Sequence, residues 1–426
     1  MNIRKIRFLV SCLLVLSMIL LTVSCAKKSA SSNTAGSGNV TLKLGIWDKN
    51  QEGGITQVLK DFTAQTGIKV EIEITPWEQY WTLLEAAATG GALPDVFWMH
   101  SNQVIRYESS GMLMDLTDRI KSSSIADMSN FSPDLVGLYS LNGKNYGIPK
   151  DLDTIALFYN KKIFDEMGVA YPTDDWSWDD LADAAKRLTN ADHYGYGAAI
   201  SNQEVYFNFI YQNNGWVISD DKKKSGYDDP KTIASIQFIV DLVKNGYSPG
   251  LSVTAENTPA ALLEAGKIAM GTFGSWMLSE FKTNEYVVEN CDIQILPKGR
   301  DGTRATVYNG LGWVAATNTR YPEEAWKLLE FFASRDAQEK LSATGIAISA
   351  FLGTSDAWYK TSNTFNLKAY ADEIPYGQFY PFSKNGVVWH NMTDEKLRDA
   401  WNGTRSVSDV CLDIAQTMNQ MLSAEE

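Results

Sequence analysis

Several residues that pair an aromatic face with a hydrogen-bonding group stand at the ends of apolar runs: Trp47-Asp48, Pro76-Trp77-Glu78, His100-Ser101-Asn102 and Gly274-Ser275-Trp276. That pairing suits a sugar, whose C–H faces lie on a ring while its hydroxyls need planar donors and acceptors. Asp151 and Asp153 follow Pro149 and add carboxylates, either gripping hydroxyls or simply solvated; Trp216 adds a ring beside Gly215. Packing is the competing role for any tryptophan in a chain that holds 13 of them. Trp98 lies inside an apolar strand and Trp326 and Trp401 fall on helices, so these three are assigned to the core, and Trp81 and Trp358 lean the same way. Trp47, Trp216 and Trp276 stand at element ends and are the rings with a ligand role in view.

Catalytic signatures are missing. The chain has no H-E-x-x-H, G-x-S-x-G, Walker loop or G-x-G-x-x-G, so no catalytic residue and no cofactor is expected. With three His in all and no second His or Cys at ligand spacing from His100, no metal site is expected either; His100 reads as a hydrogen-bonding group at a strand end. Spacing alone does not exclude a glycosidase carboxylate pair, which makes a surface glycoside hydrolase one alternative to a sugar-binding protein and a binding protein for a non-sugar cargo the other. A (β/α)₈ enzyme would show eight regular strand–helix units, and the irregular stretches 201–229 and 351–395 break that cadence. A composition of 44% hydrophobic and 21% charged residues is globular, and 426 residues exceed what one core holds. The net charge of −13 argues against nucleic acid as a partner.

The elements that position these residues follow from periodicity. Val40–Ile46 and Ile68–Ile74 alternate as half-buried strands, Asp95–Met99 is a continuous apolar strand, and helices are expected over 55–65 and 78–88. Strand–helix–strand–helix–strand implies a parallel open sheet, and such sheets bind ligands beyond their carboxyl ends. The second region reads in the same style, with strands Ile155–Tyr159 and Ile268–Phe273 and a helix over 161–167. A capping box at Ser177/Asp180, Pro230 after Asp229, Pro259 and Pro322 open further helices.

Residues 1–24 have the layout of a signal peptide, with Arg4, Lys5 and Arg7 before the apolar run Phe8–Val23. Leu21-Thr22-Val23-Ser24-Cys25 resembles a bacterial lipobox, with Leu21 one place further from the cysteine than usual, so Cys25 is the expected lipidation site; an ordinary secreted protein is the alternative. Residues 26–39 are small and polar, as in a tether. Cys291 and Cys411 are either a disulfide or two buried thiols.

Six segments taken in order resemble the extracellular solute-binding proteins of ABC importers, specifically sugar-binding family 1. They are LKLGIWD with VLKDFTAQTGIKVEIE, PWEQYWTLLEAAATGGALPDVFWMH, YGIPKDLDTIALFYNKKIFDEMGV, PTDDWSWDDLADAAKRLT, LLEAGKIAMGTFGSWML and GLGWVAATNTRYPEEAWKLLEFFAS. The resemblance implies an α/β, two-lobed periplasmic-binding-protein-like (type II) fold with a hinge and an interlobe ligand cleft. It places chain crossings near 152–156, 309–313 and 350, giving lobe one as 40–152 plus 312–350 and lobe two as 153–311 plus 351–426. It implies ligand contacts at Trp47, Asp48, Glu78, His100, Asp151, Trp216, Trp276 and Asn309. The implied partners are a carbohydrate, the ABC permease subunits and the membrane, reached through the lipid anchor on its extracytoplasmic face, with the protein itself a monomer. Trp47 and Trp276 are expected to flank the ligand from opposite lobes.

Overall fold

The computed structural model describes residues 40–425; the signal peptide, Cys25 and the tether lie outside them. Twelve strands in chain order carry the argument: β1 (Thr41–Ile46), β2 (Lys69–Ile74), β3 (Val96–Met99), β4 (Gly147–Pro149), β5 (Asp151–Leu152), β6 (Ile155–Asn160), β7 (Met270–Gly274), β8 (Cys291–Gln294), β9 (Thr306–Tyr308), β10 (Gly312–Ala315), β11 (Ile348–Ser349) and β12 (Gly377–Phe379). The principal helices are α1 (Glu52–Thr66), α2 (Trp77–Thr89), α3 (Ser101–Ser109), α4 (Lys161–Met167), α5 (Trp178–Arg187), α6 (Pro230–Lys244), α7 (Leu278–Phe281), α8 (Pro322–Phe332), α9 (Arg335–Ala343), α10 (Lys368–Glu373), α11 (Gly386–Trp401) and α12 (Val407–Ser423). Among the described residues no helix is long and apolar enough to cross a membrane.

The first sheet has five strands in the order β2-β1-β3-β10-β4. Its first three are parallel, as the alternation of strands and helices requires. Leu42 and Leu44 of β1 are buried while Thr41 and Lys43 are exposed, and all four residues of β3 are buried, as a central strand demands. α1 buries Ile55, Val58, Leu59 and Phe62 and ends at Gly67, whose φ of +74° lets its N–H reach Thr63 O at 2.8 Å. β10 then enters between β3 and β4, antiparallel to both, so the sheet is mixed.

The second sheet corrects an expectation. Its order is β8-β6-β7 and both pairings are antiparallel, where a repeat of the parallel style was expected. The chain between β6 and β7 runs through α4, α5 and α6 rather than one crossover helix, so the usual geometric link between helix spacing and strand direction does not apply. At the edge where β7 ends, β6 therefore begins, with Ile155 opposite Gly274. Alternate residues of β6 feed two cores: Ile155, Leu157 and Tyr159 face one cluster, Ala156 and Phe158 the other. The stretches read as irregular contain the π-helical turn Asn202–Tyr206, α10, β12 and part of α11. Cys291 and Cys411 are separate free thiols, each buried in a different cluster. Trp98, Trp326, Trp358 and Trp401 are buried, as expected of core rings.

Candidate functional site

The parallel run of β1 and β3 brings their carboxyl ends, Trp47 and His100, to one edge. Trp47 is half-buried among rings: Trp98 at 4.9 Å, Tyr80 at 5.0 Å, Trp77 at 5.1 Å and Trp81 at 5.9 Å between centroids. Trp77 opens α2 and remains 40% exposed, presenting its ring at the edge and meeting His100 edge-on at 5.7 Å. His100 caps α3, its Nδ1 accepting the Asn102 N–H at 3.2 Å. Burial lowers its pKa to about 4, so the ring is neutral at physiological pH. The side-chain amide of Asn309 bridges His100 Nε2 at 3.0 Å and Ser101 Oγ at 2.8 Å.

The opposing wall forms where β7 ends. Ser275 Oγ donates to Asp153 Oδ1 at 2.9 Å, and the Gly274 N–H donates to Glu204 at 3.2 Å. The Trp276 ring folds back over Gly274, where an added Cβ would stand 2.1 Å from ring atoms; only glycine admits this approach. Glu204 sits in the π-helical turn, a device common at functional sites. In the same turn Asn202 Oδ1 accepts from Tyr380 OH at 3.1 Å, and the Tyr380 ring meets His100 at 5.2 Å. Burial lifts the Glu204 carboxyl to about 7, with the Glu280 charge adding to it. Burial likewise holds Asp153 well above the usual carboxylate range, aided by the neighbouring charge of Asp151.

A hydrogen-bonded belt joins the two walls. Ser279 Oγ of α7 donates to Trp276 O at 2.8 Å and faces Asp48 Oδ2 at 3.2 Å. Asp48 also accepts from Gln51 Nε2 at 3.0 Å, and Gln51 Oε1 accepts from Lys150 Nζ at 3.2 Å. Lys150 is ion-paired with Asp151, both side chains at most 3% exposed, and its ammonium lies 4.5 Å from the Trp98 ring centroid. Asp151 Oδ1 accepts the Leu311 N–H at 2.7 Å. Asp153 and Asn309 exchange backbone hydrogen bonds at 2.7 and 3.1 Å, and β5 pairs with β11. Three passages of chain between the sheets thus lie side by side.

Five residues singled out from sequence, Trp47, Asp48, His100, Trp276 and Asn309, gather on these walls and this belt. Asp151 lies here too, but both its oxygens are taken, by Lys150 and Leu311. Glu78 is exposed in the first turn of α2, beside Trp77. Trp216 is not brought to the group: its Nε1 donates to Asp229 Oδ2 at 3.2 Å and its ring backs Gly226, which fastens a loop to the start of α6. Sequence reasoning missed Glu204, Asn202 and Tyr380 as participants. A carboxylate two residues before buried aromatics, in Glu204-Val205-Tyr206-Phe207, was the available signal.

Residues 48–339 match the family of bacterial extracellular solute-binding proteins. A Brucella abortus chain named as a binding protein is 24% identical over 406 residues, covering 92% of this chain and 95% of its own length. The galactooligosaccharide-binding protein of Bacillus subtilis is 24% identical over 322 residues, 73% of each chain. Among solved structures, an ABC substrate-binding protein of Listeria monocytogenes in complex with cycloalternan superimposes with a TM-score of 0.84 at 22% identity, covering 90% of this chain and 100% of that one. The fold is therefore the two-lobed α/β architecture of ABC sugar-binding proteins.

Proposed function

We propose, starting from the fact that this chain belongs to the bacterial extracellular solute-binding proteins, that it is the lipid-anchored receptor of an ABC importer, closing two lobes on an oligosaccharide and delivering it to the permease. It acts as a binding protein and not as an enzyme. The observation that carries this reading is the convergence of Trp47, Trp77 and His100 on one wall with Asp153, Glu204 and Trp276 on the other across the Asp48–Ser279 contact. Rings from both sides offer apolar faces to sugar C–H groups, and carboxylates accept from hydroxyls. Relatives named for galactooligosaccharide and maltotriose support an oligosaccharide as cargo.

In this reading lobe one is 40–152 with 312–350 and lobe two 153–311 with 351–426, and the belt at 151–155, 309–312 and 348–349 is the hinge about which closure occurs. Trp47, Asp48, His100, Trp276 and Asn309 line the cleft with Asp153 and Glu204, Glu78 stands at its rim, Asp151 serves the hinge, and Trp216 stays a structural ring. Cys25 carries the lipid and residues 26–39 the reach from the membrane.

A ligand that closes the lobes stabilises them by mass action, about 2.7 kcal/mol at a hundredfold excess over Kd. In a thermal-shift panel, oligosaccharides should raise the melting temperature. A rise with a peptide, a free polyamine or a metal ion and with no sugar would overturn the assignment. Membrane fractionation of the parent and Cys25→Ser tests the anchor: the variant should be released to the medium, and its retention in the membrane would overturn lipidation at Cys25.

A further inference from the structure

The wall built by β7 and the π-helical turn carries acid without base. Asp153 and Glu204 are held by consecutive residues, Ser275 and Gly274, and each receives one neutral donor, a hydroxyl at 2.9 Å and an N–H at 3.2 Å. Among the described residues no hydrogen bond reaches the second oxygen of either. Asp48, in the belt, is also met only by neutral groups, the Asn50 N–H, Gln51 Nε2 and Ser279 Oγ. The nearby cation, Lys150, is committed to Asp151 and to the face of Trp98. No lysine or arginine among the described residues forms an ion pair with Asp48, Asp153, Glu204 or Glu280, whereas ion pairs are common elsewhere on the chain, as at Arg119–Glu323 and Lys396–Asp413.

Asp153 is buried and Glu204 and Asp48 are half-buried; a carboxylate withdrawn from water without a counter-charge is costly, and sugar hydroxyls satisfy its lone pairs without neutralising it. An ammonium does both, and an aromatic face beside carboxylates is the arrangement that holds one. Trp276 supplies that face, packed over Gly274, the residue whose N–H holds Glu204 and which precedes the Ser275 that holds Asp153. We propose that the cargo carries a basic nitrogen, as in an amino sugar or an amine-substituted oligosaccharide, seated on Trp276 within reach of Asp153 and Glu204. This rests on the oligosaccharide reading above and names the class of oligosaccharide.

The test uses matched pairs of oligosaccharides that differ in one substituent, amine or hydroxyl, across glucose, galactose and mannose linkages, titrated calorimetrically into the full-length protein. The amine member of the bound pair should bind at least tenfold more tightly. In Glu204→Gln and in Asp153→Asn, each checked for a parent-like melting curve, that preference should fall to within about twofold. Equal or tighter binding of the hydroxyl member overturns the inference and leaves the oligosaccharide reading standing. An amine preference that survives in both variants overturns its assignment to this wall. Failure of every oligosaccharide, amine or not, overturns the oligosaccharide reading and this inference with it.

Discussion

Asp151→Ala should destabilise the fold rather than merely empty the cleft. The carboxylate has two partners, the Lys150 ammonium and the Leu311 N–H at 2.7 Å, and both it and Lys150 are withdrawn from water. With the side chain gone, Lys150 keeps Gln51 Oε1 at 3.2 Å and the faces of Trp98 at 4.5 Å and Trp313 at 6.0 Å. Removing one member of a buried pair costs about 3–5 kcal/mol, and orphaning a buried N–H about 1–3 kcal/mol. Both losses come from one carboxylate, and water entering the emptied space offsets part of them, so we expect about 4 kcal/mol in urea unfolding. Lys150→Met combined with Asp151→Leu removes both charges and should recover most of that loss, within about 1–2 kcal/mol of the parent, because the stranded ammonium is gone. If Asp151→Ala unfolded within about 1 kcal/mol of the parent while sugar binding disappeared, the carboxylate would be a ligand contact and the hinge argument would be wrong.

Trp276→Ala should weaken ligand binding tenfold or more by titration with its melting temperature little changed, since the ring packs over a glycine at an edge; Trp326→Ala, a buried ring on α8, should instead lose about 3–5 kcal/mol of stability. Glu373 is lifted to about 8, mainly by burial, while it accepts the Leu296 N–H at 2.5 Å. Its folded pKa lies above its unfolded value, so its proton-linked contribution to stability is complete below about pH 4.5 and is lost as pH rises through about 8. Glu373→Gln should accordingly flatten the fall in melting temperature over that range, and an unchanged slope would assign the fall to other groups. Burial pushes the thiols of Cys291 and Cys411 up to about 12, so peptide mapping after alkylation should find both unmodified in the native protein and both modified in denaturant.

Local signals read well where local physics decides. Gly67, Ser177 with Asp180, and Asp229-Pro230 each mark a helix end through backbone groups a few residues away, and the structure places all three as read. β1, β2 and β3 were legible because each has a distinctive apolar pattern and a helix between them sets direction. The second sheet was not, because over a hundred residues intervene between β6 and β7 and no local pattern fixes which way a returning strand runs. The site shows the same division. Trp47, His100 and Trp276 follow strands and could be found as strand ends, whereas Glu204 is positioned by a π-helical turn whose extra residue per turn has no periodicity to betray it. Asp151 and Asp153 are alike in sequence; their roles diverge only because Lys150 and Leu311 reach one and Ser275 the other.

The place of β10 in the first sheet bears on how the chain comes to be folded. β3 acquires its second neighbour only when Trp313 pairs with Trp98, and Ser101 meets Asn309 across 208 residues of sequence. Until that segment has emerged, the N-terminal half presents the open edge of an entirely apolar strand, with no complete sheet to lock it. Contacts this remote in sequence make folding slow. The first sheet therefore cannot be completed before the chain's last third, which holds β10, has been synthesised.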